Sequence, residues 1–181
     1  VLGRCLTSLF AKTRYANFEV VVVDNGSVQT QTAALFDKWR RAKPEQFKVV
    51  RDDSKFNFSA LCNLGAAQTD AKFLLFLNND TEIIAPDWLE GMLEYAQQRD
   101  LGAIGAKLLY ANRTVQHVGV VVGLGGAAGH IPLQLPRNVG GYYGYAVCSN
   151  NVSAVTGACL MVERSKFEQV GGFDPTLAVG Y

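Results

Sequence analysis

Residues 18–27 read FEVVVVDNGS, and this stretch decides the class of fold. Its four consecutive valines are typical of a strand that is buried on both faces of a parallel sheet. The strand pattern ends at Asp24-Asn25-Gly26-Ser27, whose residue types favour a tight turn. A second apolar run, KFLLFL at 72–77, ends in Asn78-Asn79-Asp80. The two runs predict buried strands of one parallel sheet, each with a polar carboxyl end.

Helical patterns separate the strand patterns along the first hundred residues. Apolar residues at helical spacing open the chain, and Pro86 suits the first position of a later helix that runs to about Arg99. Asn57 or Ser59 can cap the helix between the two apolar runs. This alternation predicts an α/β fold, a mainly parallel Rossmann-like sheet flanked by helices and joined by right-handed crossovers. The remaining predicted elements here are helices at 33–39 and 58–69 and a short strand at 47–50.

The second half has a different pattern. Apolar runs predict strands at 103–109, 115–122 and 154–162, and residues 123–151 form a long loop rich in glycine and tyrosine. Loops of that length in a compact domain are usually functional or disordered. Residues 165–168 read SKFE, a capping box that predicts a short helix. Without an internal repeat or a linker, residues 1–181 are expected to form a single domain.

Composition excludes several classes of protein. The chain has 181 residues, of which 49% are hydrophobic, and 17 basic residues nearly balance 16 acidic ones. A net charge of +1 argues against a dedicated nucleic-acid binder. The cysteines have no zinc-site spacing, and isolated cysteines in apolar runs suit buried thiols in a reducing cytosol. No apolar run reaches the roughly 20 residues that a membrane-spanning helix needs.

The polar strand ends suggest chemistry, because ligands of open α/β sheets bind at the carboxyl ends of the strands. Asp80 can give one carboxylate oxygen to Mg²⁺ or Mn²⁺, which are often held by one or two carboxylates and by substrate phosphates. Asn78 and Asn79 can add neutral oxygens or hydrogen bonds to ribose and water. With so little negative charge, the site is expected to bind metal weakly without the diphosphate.

Asp24 suggests recognition of a base. A carboxylate only accepts hydrogen bonds at neutral pH, so the base must offer it an N–H group. Uracil and thymine have one at N3, and guanine has one at N1, whereas cytosine has none at N3. A base read by Asp24 would therefore belong to a UDP-, dTDP- or GDP-linked donor and not to a CMP-linked one.

Six short motifs, in order and in register, resemble the family 2 glycosyltransferases of the GT-A fold, and they span nearly the whole chain. The Asn-Asn-Asp form and the FNFS stretch at 56–59 look most like the bacterial branch that builds O-antigen and other surface polysaccharides, often rhamnosyltransferase-like. The six motifs are VVDNGS at 22–27, NLGA at 63–66, LFLNND at 75–80, PDWL at 86–89, VTGAC at 155–159 and VGGFD at 170–174.

The resemblance implies a role for each matching residue. Asp24 would contact the base of a nucleotide-diphosphate sugar, and Asp80 would be the metal-binding aspartate. Residues 1–100 would be the nucleotide-binding half and 101–181 the acceptor-side half, with a saccharide or lipid-linked acceptor. At the position of Cys62 the family often has an arginine that contacts phosphate. The other implied donor-binding residues are Asn25, Gly26, Ser27, Asn57, Asn63, Asn78 and Asn79, and Thr156, Gly157 and Ala158 would line the acceptor side.

The resemblance also implies inverting transfer, in which a base deprotonates the acceptor hydroxyl. The family begins with a strand that would precede Val1, and its catalytic acid lies in a segment expected beyond Tyr181. We therefore expect a chain truncated at both ends and inactive on its own, with no catalytic residue in it and Asp174 only a turn residue. The implied location is cytoplasmic, including the cytoplasmic face of the membrane through peripheral contacts of the missing regions.

Two other interpretations compete with an active transferase. Residues 123–128, GLGGAA, fit a dinucleotide fingerprint, which would require a following helix and an acid about 20 residues later. Pro132 and Pro136 interrupt such a helix, and the first acidic residue after the motif is Glu163, too far along the chain. The second alternative is a sugar-nucleotide or polysaccharide-binding module of the same fold that has lost activity. Asparagine in place of aspartate and Cys62 in place of arginine favour it.

Overall fold

A computed structural model describes residues 1–179 of the chain. Helices and strands alternate through the first half, as the apolar patterns predict. Its helices are α1 (Leu2–Lys12), α2 (Thr30–Ala42), α3 (Phe58–Ala66), α4 (Trp88–Ala96) and α5 (Arg164–Gln169). Its strands are β1 (Val20–Asn25), β2 (Phe47–Asp52), β3 (Phe73–Leu77), β4 (Ala103–Gly105), β5 (Leu108–Leu109), β6 (Val115–His117), β7 (Val120–Val122), β8 (Ala128–His130) and β9 (Cys159–Glu163).

β1 and β2 form a parallel pair, in which Val20 lies opposite Phe47 and Asp24 opposite Arg51. Helices α1 and α2 cover one face of this pair. Leu6 of α1 packs with the buried residues of α2 and β2 and with the even-numbered valines of β1, and Phe10 stacks on Trp39 with ring centroids 4.7 Å apart. The cluster comprises Leu6, Phe36, Trp39 and Phe47, with Val20 and Val22 against it.

β3 belongs to a second sheet of three strands in the order β3-β9-β4, in which β9 is antiparallel to both neighbours. α4 packs on one face, where Leu89 and Met92 meet Met161. On the other face, Ala66 of α3 packs with Leu74 and Val162. The α/β class is confirmed. In the described residues, however, β1 and β3 lie in two separate sheets, and the strand paired with β3 is antiparallel to it.

A gap separates β1 from β3, which lie in different sheets. Residues of both strands line it, together with residues of α1 and of α3, and it encloses about 1450 Å³. We call this gap the central cleft. The lining residues used below are Leu6 and Leu9 of α1, Val20–Asp24 of β1, Leu61, Cys62 and Gly65 of α3, and Phe73–Leu77 of β3, with Asn25, Ser27, Asn78, Asn79, Asp80 and Gly157 at one end.

Several predicted boundaries need correction. Residues 103–109 and 115–122 each form two short strands instead of one, and the third strand of this half begins at Cys159. The capping box at 165–168 is not formed, since α5 begins at Arg164 and its N-cap Glu163 makes no side-chain cap bond. Asn57 does cap α3, because its Oδ1 accepts a hydrogen bond from Ala60 N at 2.9 Å.

The loop at 123–151 contains local structure. A 3₁₀ turn at Leu124–Gly126 leads directly into β8, which pairs antiparallel with β7. A dinucleotide fingerprint requires an α-helix there, so the dehydrogenase interpretation is wrong. Cys5 and Cys159 are buried as predicted, whereas Cys148 is exposed. Within residues 1–179, no helix combines the length and the apolar character needed to cross a bilayer.

Met92 provides a test of the packing between α4 and the β3-β9-β4 sheet. Its side chain is 5% exposed, so Met92→Ala should lower the free energy of unfolding by about 2–5 kcal/mol. Val28→Ala removes an apolar group from a 92% exposed position. This control should change the free energy of unfolding by less than about 0.5 kcal/mol. Urea denaturation followed by circular dichroism measures both, and equal effects would contradict this core.

Candidate functional site

The carboxyl end of β1 and the turn after β3 both line the central cleft. Asp24, Asn25 and Ser27 line it from the β1 side, and the Asn78-Asn79-Asp80 turn lines it from the β3 side. Gly157, in the segment before β9, also lines it. The two polar strand ends that the sequence identifies and one predicted acceptor-side residue thus line the same cleft.

Asp24 is the buried carboxylate of this site, with 8% of its surface exposed. Its Oδ2 accepts a hydrogen bond from Arg51 Nη1 at 2.7 Å, and its Oδ1 accepts one from Ser27 N at 3.2 Å. Burial acts to raise the pKa of Asp24, but the hydrogen bonds from Ser27 and Arg51 outweigh it, so the pKa lies below its usual value. Asp24 is thus held ionised and in a fixed orientation.

Arg51 is a site residue that the sequence analysis missed. It lies directly opposite Asp24 in the β1–β2 register and also contacts Asp53 Oδ1 at 2.6 Å and Ser27 O at 2.7 Å. The sequence feature that could have identified Arg51 is its position at the end of a short strand pattern, beside Asp52 and Asp53. Parallel pairing of that strand with β1 brings the guanidinium to Asp24.

The turn after β1 is held by backbone contacts. Asn25 Nδ2 donates to Asp52 O at 3.0 Å and to Ser54 O at 2.9 Å, so this amide joins the ends of β1 and β2. Gly26 has a φ of 72°, in the left-handed region that favours glycine. Asn25 and Gly26 therefore shape the turn, and their predicted contact with a donor stays a prediction.

Asn78, Asn79 and Asp80 are exposed to solvent at the end of β3. The backbone of Asn78 is fixed on both sides, since Asn78 N donates to Ala158 O at 3.0 Å and Thr81 Oγ1 donates to Asn78 O at 2.8 Å. Among residues 1–179, no group of three or more His, Cys, Asp or Glu side chains could hold a metal ion. One carboxylate with two neighbouring amides suits a cation that shares its coordination with phosphate oxygens.

Thr156, Gly157 and Ala158 form the turn that precedes β9, directly beside Asn78. Ala158 N donates to Thr156 Oγ1 at 3.3 Å, and a Cβ placed on Gly157 would lie 3.5 Å from the Phe58 ring. Through Ala158 O, which accepts the hydrogen bond from Asn78 N, this turn contacts the predicted metal turn. Their role in binding an acceptor stays a prediction.

A histidine pair supports this turn, and the sequence analysis did not assign it a role. His117, 2% exposed, accepts a long hydrogen bond of 3.5 Å from Thr156 N at its Nε2, and its Nδ1 lies 2.9 Å from His130 Nδ1. Burial, and secondly His130, lower the pKa of His117 to about 4. A neutral His117 that accepts at Nε2 must carry its proton on Nδ1 and donate it to His130.

Asn57 and Asn63 hold the segment that follows α5. Asn63 Nδ2 donates to Phe173 O at 2.8 Å, and its Oδ1 accepts from Phe173 N at 2.9 Å. Asn57 Nδ2 donates to Pro175 O at 2.8 Å. Asp174 accepts hydrogen bonds from Thr176 N and Oγ1, as expected of a turn residue. These contacts give both asparagines a structural role, and the predicted catalytic base lies outside the described residues.

The family model for glycosyl transferase family 2 matches residues 1–171. The chain belongs to this family. O-antigen biosynthesis protein RfbC from Myxococcus xanthus is 41% identical over 180 residues, which are 99% of this chain and 14% of the relative. The uncharacterized protein y4gI of Sinorhizobium fredii is 43% identical over 174 residues, 96% of this chain and 19% of the relative. The chain thus spans less than a fifth of the length of these relatives.

Solved structures show that this family 2 chain has the GT-A fold. Mannosyltransferase PcManGT from Pyrobaculum calidifontis, solved with GDP-Man and Mn²⁺, superposes with a TM-score of 0.66 at 16% identity, covering 94% of this chain and 42% of the other. GalNAc-T7, solved with UDP, GalNAc and Mn²⁺, gives a TM-score of 0.72 at 16% identity, covering 98% and 35%. The predicted fold class is confirmed.

The lowered pKa of Asp24 makes a contribution to stability that depends on pH. The contribution is fully present above about pH 4, where aspartate in the unfolded chain ionises, and it is lost as the pH falls through the lower pKa of folded Asp24. Asp24→Asn should therefore be destabilising at neutral pH and increasingly less so in acid. Urea unfolding of the parent and of Asp24→Asn between about pH 7 and about pH 2.5 measures the difference in their free energies of unfolding.

Asp37→Asn is the matched control, because Asp37 forms an exposed ion pair with Arg40. The free energy of unfolding of Asp37→Asn should differ little from that of the parent at every pH, as for most surface ion pairs. If Asp24→Asn lowered the free energy of unfolding by the same amount at neutral and at acidic pH, Asp24 would not be a carboxylate stabilised by Arg51 and Ser27.

Proposed function

We propose that this chain carries the donor-binding site of a transferase that moves a sugar from a nucleotide-diphosphate donor to an acceptor hydroxyl. The observation that carries the proposal is that Asp24, in β1, and Asp80, in the turn after β3, both line the central cleft. The first is buried and held by Arg51, and the second is exposed. Such a pair can bind two separate parts of a nucleotide-sugar, its base and its diphosphate.

The base of the donor would lie at Asp24. Its two oxygens already accept hydrogen bonds from Arg51 and Ser27, yet each carboxylate oxygen has a further lone pair for a ring N–H. An ionised Asp24 offers no proton to an acceptor atom of the base. The proposal therefore extends to UDP-, dTDP- or GDP-linked donors, and the GDP-Man and UDP in the two solved relatives support this range.

Asp80, with Asn78 and Asn79, would hold Mg²⁺ or Mn²⁺ together with the donor diphosphate. When bound there, the cation would neutralise the negative charge that develops on the leaving diphosphate. The exposure of all three side chains allows the phosphates to approach them. Mn²⁺ in the solved structures of PcManGT and GalNAc-T7 supports a divalent cation.

The acceptor would approach past Thr156, Gly157 and Ala158. Its hydroxyl oxygen would form a bond to the anomeric carbon while the bond to the diphosphate breaks, and a base would take the hydroxyl proton. Attack opposite the leaving diphosphate inverts the anomeric centre. The name of the RfbC relative, an O-antigen biosynthesis protein, supports a role in bacterial surface-polysaccharide synthesis. The proposal includes a saccharide or lipid-linked acceptor and a location at the cytoplasmic side of the membrane.

Nucleotide selectivity tests the role of Asp24. In calorimetric titrations with saturating Mn²⁺, UDP, dTDP or GDP should bind. CDP, which carries the same diphosphate, should bind at least about tenfold more weakly, because one lost charge-assisted hydrogen bond corresponds to roughly 1.5 kcal/mol or more. CDP binding at least as tightly as the other three nucleotides would contradict base recognition by Asp24.

Asp80→Asn tests the metal site. The variant should lose the increase in UDP affinity that Mn²⁺ produces, while its unfolding midpoint stays unchanged because Asp80 is exposed. Asp100→Asn removes an exposed acid that does not line the central cleft and should retain the full Mn²⁺ effect. If Asp80→Asn still responds to Mn²⁺ as the parent does, Asp80 is not the metal ligand.

A further inference from the structure

Two histidines behind the turn at 156–158 are placed so that each restricts where the other carries its proton. His117, in β6, is 2% exposed, and its Nδ1 lies 2.9 Å from Nδ1 of His130, in β8. Only one proton can lie between two nitrogens at this distance, so one ring donates and the other accepts. Because His117 Nε2 accepts from Thr156 N, His117 is the donor at Nδ1 and His130 is the acceptor.

Close packing fixes the orientation of the His117 ring. A Cβ added to Gly105, in β4, would lie 3.3 Å from His117 Nε2 and 2.7 Å from the Val155 side chain, so β4 packs tightly on this side of the ring. His130 covers the other side, with ring centroids 5.0 Å apart and ring planes at 77°. The proton of His117 can therefore move between the two nitrogens while the ring itself stays in place.

Hydrogen bonds continue from His117 to the turn after β3. Thr156 Oγ1 accepts from Ala158 N at 3.3 Å, and Ala158 O accepts from Asn78 N at 3.0 Å. His130 is half-buried and is the outer end of this series of bonds. A change in the protons of the histidine pair thus acts first on the 156–158 turn.

We propose that His130 is a positioning residue for the 156–158 turn and acts through the tautomer of His117. With its proton on Nδ1, His117 has a free Nε2 that holds Thr156 N. When the pair takes up one proton from solvent, the Nδ1 proton of His117 passes to His130, and His117 carries the new proton on Nε2. His130 is then a cation and His117 remains neutral. Two N–H groups now face each other at Thr156, so the bond that holds the turn is lost.

The surroundings of the pair favour this coupling. Of the side chains that β4, β5, β8 and the segment before β9 present to His117, His130 is the titratable one. Tyr145 places its hydroxyl beside the connection between β6 and β7, and Lys107 donates to backbone carbonyls of the long loop. Residues 101–162 contain no carboxylate. Burial, and secondly His130, lower the pKa of His117 to about 4, so His117 stays neutral while a more exposed histidine titrates.

This role rests on the proposed function, in which the sugar acceptor approaches past the 156–158 turn. Protonation of His130 would loosen that side of the site. Asp24 and Arg51, which would hold the base of the donor, lie in β1 and β2 and keep their own hydrogen bonds. The histidine pair would therefore make the acceptor side sensitive to pH in a range where the base site is unchanged.

NMR of the 181-residue chain between about pH 8 and about pH 5 tests the proposal. As the ring resonances of His130 titrate, the imidazole ¹⁵N shifts of His117 should change from the Nδ1–H to the Nε2–H pattern without His117 becoming charged. The hydrogen-exchange protection factor of the Thr156 amide should fall by at least about fivefold over the same range, as expected for one lost hydrogen bond. The Val120 amide, which donates to Ala154 O, is the internal control and should keep its protection.

His130→Asn supplies an amide oxygen that can accept from His117 Nδ1 but cannot titrate. Its Thr156 amide should stay protected across the whole pH range. Cys148→Ser changes an exposed side chain of the same loop and should retain the pH-dependent fall of the parent. A His117 tautomer that does not change as His130 titrates, or a fall in Thr156 protection that persists in His130→Asn, overturns the proposal.

Calorimetric titration of the parent with UDP and Mn²⁺ at about pH 8 separates this proposal from the proposed function. UDP binding without the pH-dependent change at Thr156 overturns the positioning role of His130 alone. The pH-dependent change without any UDP binding supports the coupling between His130 and Thr156, and it overturns the acceptor role of the turn together with the proposed function.

Discussion

Helices α1 and α3, which pack against both sheets, hold the two halves of the site at a fixed separation. α1 contributes Leu6 to the core beneath β1, while Ser8 Oγ accepts a hydrogen bond from Ile83 N beyond β3 at 3.0 Å. α3 places Gly65 against Val23, where an added Cβ would lie 3.1 Å from the valine methyl group, and Ala66 against Leu74. Since β1 and β3 belong to different sheets, side-chain packing and not a hydrogen-bond ladder sets the distance from Asp24 to Asp80.

The polar residues around the site divide into two groups by what their side chains contact. Asn25, Asn57 and Asn63 use their amides on backbone groups of neighbouring segments, which fixes the loops. Asp80 and the two asparagines before it face solvent. Burial raises the pKa of the Cys62 thiol to about 11, so this residue offers neither a thiolate nor a positive charge where the family often has arginine. Any charge on a bound diphosphate must be balanced elsewhere.

Local sequence patterns predicted the first half of the fold well, because each element there is a neighbour of the next. The continuous apolar runs located β1 and β3, and turn residues located both ends of the site. The pairing of β3 with β9 could not be predicted in this way, since Leu77 and Cys159 are 82 positions apart and periodicity carries no information about partners. Arg51 was missed for the same reason, since only the β1–β2 register places it opposite Asp24.

The hydrogen bond between Asn78 N and Ala158 O joins the two turns on which the proposed reaction depends. One turn carries Asp80, and the other is supported from behind by His117 through Thr156 N. A cation that draws Asp80 toward a diphosphate would pull on the Asn78 peptide, and through it on the strand that leads into β9. This backbone hydrogen bond therefore links the position of the proposed metal turn to that of the proposed acceptor-side turn.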